Sequence, residues 1–169
     1  MRSRGLDSLS IGALMRSVGL THGGFYNHFE SKEAFLEEAL KRALANGSRS
    51  ARPPSQARGG DSQTGFIRRY LSRSHRDQPE SGCAMGALLS DIGRAEPSIR
   101  SEVGRHLEAF IERMVDPARG VDRQKATVAV AALLGALGMS RAFEKGGSSD
   151  QILRDVRAYL LDLYAEGDS

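Results

Sequence analysis

The chain has 169 residues, 27% of them charged, a net charge of +3 and one cysteine. That length allows a real core, and a lone cysteine excludes an intramolecular disulfide and a Cys-rich zinc site. With no apolar run of membrane-spanning length, and none of the signal-peptide kind within residues 1–9, the sequence reads as a soluble cytoplasmic protein without membrane partners.

Charge is unevenly spread. Residues 1–60 hold nine Lys/Arg against five Asp/Glu, and residues 61–169 hold fifteen against sixteen. The basic excess at the N-terminal end favours a polyanionic partner there.

Every segment with a clear period predicts helix. Ser10 is placed to cap a helix over Ile11–Val18, with Ile11, Leu14 and Val18 on one face. Gly19 can end it, because a sharp exit needs positive φ. Thr21 is placed to cap a second short helix ending near Phe29. Ser31 can cap a third, with Glu33 near its first turn, where acid favours the dipole. That third helix is expected to bury Phe35, Leu36, Ala39, Leu40 and Ala43.

The stretch 46–60, rich in Gly, Ser, Arg and Pro, reads as a connector. It divides the chain into a head, 1–46, and a body, 61–169. The body opens with Phe66, Ile67, Tyr70 and Leu71 on a short helix, then a polar turn over residues 75–82. Residues 83–94 predict a further helix, and Pro97 suits the first turn of the next. Ile99, Val103, Leu107, Phe110, Ile111 and Met114 stripe that helix. Two more follow, near 123–143 and 151–164. No segment alternates as a strand does, so the fold class is all-α: a helix-turn-helix head and a helical body.

Two short helices joined by a tight Gly turn can place the second in the DNA major groove. The bare pattern also fits a plain helix–helix crossing, but the residues within it are specific. The run Leu20-Thr21-His22-Gly23-Gly24-Phe25-Tyr26-Asn27-His28-Phe29-Glu30-Ser31-Lys32-Glu33-Ala34-Phe35-Leu36 resembles the signature of the TetR/AcrR regulators. Gly19-Leu20-Thr21, Tyr26-Asn27-His28-Phe29 and Ser31-Lys32-Glu33 match that signature position by position. The resemblance implies a DNA-binding transcriptional regulator, a repressor released from double-stranded operator DNA by a small-molecule effector, and working as a homodimer.

The DNA-binding residues expected on this reading are Ser10, Thr21, His22, Gly23, Tyr26, Asn27, His28 and Lys32. At a helix start, Thr21 can offer its hydroxyl and nearby N–H groups to a phosphate. Gly23 and Gly24 each destabilise a helix by about 1 kcal/mol relative to Ala, which suggests a backbone that must approach something closely. His22 and Asn27 can hydrogen-bond base edges. By resemblance, Tyr26, His28 and Lys32 meet the DNA backbone. Phe25 and Phe29, four apart, share a face and read as core.

The family also places a full helix before this pair, whereas only residues 1–7 precede the first helix here. The expectation that follows is a frayed head, with specific DNA binding weak until a helix is restored upstream. The alternative function is an N-terminally truncated ligand-binding and dimerisation module that no longer binds DNA.

In the body, residues 126–139 are apolar on every face and need cover on all sides. The final helix adds a stripe of Ile152, Leu153, Val156, Tyr159, Leu160 and Leu163. Paired across two subunits, these helices suit a four-helix interface; alternatively they complete a monomer core. Cys83, Met85, Leu88, Leu89, Phe110 and Met114 are the expected lining of a ligand pocket, or else ordinary core. Near a helix N-terminus, Cys83 reads either as a reactive thiol or as a small buried hydrophobe. The four histidines, His22, His28, His75 and His106, form no metal spacing with one another or with Cys83. No phosphate loop or nucleophile elbow is present, so the reading is not an enzyme, with no metal and no cofactor.

Overall fold

The computed structural model describes residues 10–45, 62–93 and 95–165. Among these, nine α-helices and one 3-10 turn occur, with a single isolated bridge, Asp116 to Val121, in place of any strand. The connector expected over 46–60 and the segment before Ser10 lie outside the described residues.

The head contains α1 (Ile11–Ser17), α2 (His22–Phe25) and α3 (Lys32–Ala45). Each start follows from a local hydroxyl. Ser10 Oγ accepts from the Ala13 N–H at 3.4 Å, Thr21 Oγ1 from Gly24 at 3.2 Å, and Ser31 Oγ from Ala34 at 3.1 Å. Such caps satisfy N–H groups that the first turn leaves free. Gly19 turns the chain at φ +73°, a conformation that costs side-chain-bearing residues dearly.

The expected apolar face of α1 is corrected. Met15 is the buried residue of that helix, while Val18 is 61% exposed. The second helix is also shorter than expected and passes into turns before Phe29. Phe25 is buried, and with Phe29 and Phe35 it forms an aromatic cluster with ring centroids 5.0–5.7 Å apart. On α3 only Leu40 is fully covered; Phe35, Leu36, Ala39 and Ala43 are half-buried.

The body contains α4 (Gln63–Tyr70), α5 (Arg73–Asp77), α6 (Ala84–Ile92), α7 (Pro97–Met114), α8 (Arg123–Arg141) and α9 (Gly147–Leu163). Pro97 occupies the first turn of α7. The polar turn expected over 75–82 begins instead inside α5, and His75 and Arg76 are buried. Burial succeeds because both are fully partnered. His75 Nδ1–H donates to the Tyr70 carbonyl at 2.8 Å, and its Nε2 accepts from the Cys83 N–H at 2.9 Å, which fixes the neutral tautomer. Arg76 donates to Asp150 (2.6 Å), Ser149 (2.8 Å) and Asp77 (2.8 Å), tying α5 to the start of α9.

Two cores follow. The larger gathers α4, α6, α7, α8 and α9 around Phe66, Tyr70, Met85, Phe110, Leu133 and Leu137. The smaller joins Leu40 of the head to Leu88, Ile92, Ile99 and Val103 of α6 and α7, with Leu36, Leu44 and Leu107 packed against it. Helix α6 contributes to both cores, and so connects the body interior to the head.

Candidate nucleic-acid interface

The turn at Gly19 sets α2 against α1, so that Gly24 meets α1 while Gly23 does not. A Cβ on Gly24 would lie 3.4 Å from Thr21 Oγ1 and 3.7 Å from Met15 Cε; one on Gly23 would meet nothing within 4 Å. The two glycines therefore separate in role. Gly24 lets α2 seat on α1, and Gly23 leaves the outer side of α2 open for close approach.

Around that open side, Ser10, Thr21, His22, Gly23, Tyr26, Asn27 and His28 are all exposed, and Lys32 is half-buried at the first position of α3. Tyr26 is 54% exposed although its ring is large and apolar. It packs edge-on against Phe25 and His22, with centroids 5.3 and 5.9 Å apart. The aromatic cluster beneath thus holds a tyrosine whose hydroxyl is free to meet a phosphate. His22 also lies close to the start of α1: a Cβ on Gly12 would be 3.7 Å from His22 Nδ1 and 3.9 Å from Ser10 Oγ. Two helix starts, capped by Ser10 and Thr21, therefore converge on one surface, and each presents a partly positive end. Since Thr21 Oγ1 accepts from Gly24, its own hydrogen remains available to an anion.

The residues expected to line a ligand pocket divide. Cys83, Met85, Phe110 and Met114 join the larger core, Leu88 joins the smaller, and Leu89 is 45% exposed on the far side of α6. Cys83 is buried at the α6 N-cap position. Sequence reasoning missed the polar groups beside it, the buried His75 and Arg76 and the half-buried Arg141, and that the Tyr70 hydroxyl joins them. The one available signal was an arginine closing α8 after the apolar run 126–139. Within the single chain α8 is not covered on every side, as completing a monomer core would require. Val128 and Met139 are 52% and 57% exposed, and on α9 Tyr159 departs from its stripe at 64%.

No helix among the described residues is long and apolar enough to cross a membrane. Comparison with known proteins now bears on this surface. Residues 1–39 match the family model of bacterial regulatory proteins, tetR family. A search of curated proteins finds no match. Among solved structures, the chain resembles the reduced form of NemR from E. coli (21% identity, TM-score 0.69), covering 95% of this chain and 88% of that one. It also resembles a TetR-family transcriptional regulator from Rhodococcus sp. (22% identity, TM-score 0.67), covering 96% and 91%. At those identities the likeness is one of fold. The matching family model is one of regulatory proteins, and the Rhodococcus protein carries the name of a transcriptional regulator. The head's sequence thus matches the tetR family model over residues 1–39, and the chain as a whole shares its fold with these two solved structures.

Proposed function

We propose that the protein is a homodimeric repressor that grips operator DNA with α2 and the surrounding turns and releases it when a small molecule enters the body. The observation that carries this reading is the exposed cluster of Thr21, His22, Tyr26, Asn27 and His28 on a helix start held by the aromatic cluster around the buried Phe25. Thr21, Tyr26, His28 and Lys32 serve the phosphates, while His22 and Asn27 face base edges. Ser10 and Gly23 allow the backbone to approach.

Pairing uses α8 and α9. Val128, Met139, Phe143 and Tyr159 expose large apolar surface, and a Cβ on Gly135 or Gly138 would meet nothing within 4 Å. Side chains of that kind, beside backbone left open for close approach, suit a second copy of the same helices. Two-fold pairing in turn presents two heads to two half-sites.

Binding to duplex DNA, measured by fluorescence anisotropy across a salt series, tests the head. Affinity should fall steeply with salt. Lys32→Ala should weaken all sequences alike and lower the salt slope by about one. Asn27→Ala should relax preference at particular bases, by about 1–3 kcal/mol for a strong contact. An affinity indifferent to salt would refute the reading.

A further inference from the structure

Gly86, in the first turn of α6, marks a point where three polar features meet. Tyr70, the last residue of α4, is fully buried; among the described residues its hydroxyl makes no well-formed hydrogen bond, with only the Cys83 thiol beside it. A Cβ on Gly86 would lie 3.4 Å from that oxygen and 3.8 Å from Cys83 Cβ. Arg141 reaches the same place from the end of α8. Its Nη1 comes within 3.5 Å of the Gly86 carbonyl, while Nε and Nη2 donate to the carbonyls of Arg76 and His75 at 3.1 and 3.0 Å.

The half-buried Arg141 guanidinium makes no ion pair among the described residues; burial lowers its pKa, against the opposing pull of Tyr70 and Cys83 beside it and then of Glu80 and Asp77. Helix α6 also begins without a side-chain cap, so the positive end of its dipole is not offset there. A buried hydroxyl without a well-formed hydrogen bond, a cation held by carbonyls but by no carboxylate, and an uncapped helix start would each be served by a small anion with oxygen acceptors. Beside them stand the rings of Phe66, Tyr70 and Phe110, packed at 5.3–6.2 Å.

We propose that Tyr70, Arg141 and the first turn of α6 form the polar end of the effector site, and that the effector is a small molecule with an apolar body ending in a carboxylate. The carboxylate accepts from the Tyr70 hydroxyl and offsets Arg141, and the apolar body lies along the aromatic wall. A neutral amide could accept the hydrogen bond but would leave the guanidinium uncompensated. The site is closed in this structure, because a Cβ on Gly86 would also come 2.9 Å from Leu137 Cδ2. Entry therefore moves α6 away from α8. The same helix carries Leu88 and Ile92 against Leu40 of the head, so occupancy at one end of α6 is felt at the other.

This inference rests on the reading of the body as the effector-sensing part, and its test separates the two. Thermal shift and calorimetric titration of the full chain, without DNA, are run with benzoate, phenylacetate, octanoate and decanoate, and with benzamide and octanamide as neutral controls. Carboxylates should bind and raise Tm, and the amides should not. Tyr70→Phe keeps the ring and removes only that hydroxyl, so the unliganded Tm should hold or rise while carboxylate affinity falls about tenfold or more. No binding by any of the four carboxylates, equal binding of the amides, or full affinity in Tyr70→Phe would overturn the site. DNA affinity is read separately. Carboxylate binding that leaves it unchanged counts against the effector role, whereas DNA release by neutral compounds alone counts against the carboxylate site.

Discussion

His75 shows how one side chain can fasten several elements. Its ring bridges the end of α4 and the start of α6, and Gly82 leaves room for it, since a Cβ there would come 2.9 Å from the imidazole. Burial holds its pKa down at about 4 against an ordinary 6.5. The unfolded chain therefore binds the extra proton between those values and the native state refuses it. The contribution to stability is complete above pH 6.5 and is lost as pH falls towards 4, on the order of 3 kcal/mol in all. Asp77 and Asp150, whose carboxyls are held below the usual range mainly by Arg76, extend the loss in the same direction at lower pH. Urea unfolding should show stability rising between pH 4 and 6.5, and His75→Gln should flatten that slope even if the variant is weaker throughout. An unchanged slope would mean that another group carries the proton linkage.

At the scale of elements, what could be read from sequence was what is local. Ser10, Thr21 and Ser31 cap as expected because an N-cap hydroxyl acts on an N–H three residues on, and Pro97 likewise marks its own helix. The contacts that were not legible join distant residues. Arg76 with Asp150, 74 positions apart, hides α5 inside what reads as a polar turn, and Arg141 with His75 spans 66. Hydrophobic periodicity carries no information about such pairs. It also cannot say which apolar face is left open: Val18 reads as part of a covered face and is exposed, and on α8 and α9 only the folded chain shows that Val128 and Tyr159 are left for a partner or for solvent. On α8 and α9 that exposure has a measurable consequence. Analytical ultracentrifugation should find a dimer at micromolar concentration. Gly135→Arg, at a site open in the single chain, should shift it to monomer without unfolding it. A monomeric parent protein would remove the proposed interface.

For the whole molecule, the arrangement of two cores matters more than either alone. The larger core holds the candidate effector residues, the smaller one grips α3, and α6 belongs to both. A ligand that changes the seating of α6 acts on the head through packed side chains, and by linkage DNA and ligand must affect each other equally. On the proposed reading this coupling serves paired heads that read DNA. The most direct test is selection by the 169-residue chain from a pool of random-sequence duplexes. The account predicts enrichment of one two-fold-symmetric site, with half-sites spaced by about one helical turn or a multiple of it, and loss of that enrichment in a His22→Ala, Asn27→Ala double variant that still dimerises. A pool that stays random after repeated rounds with the dimeric protein, or an enriched site without two-fold symmetry, would contradict it.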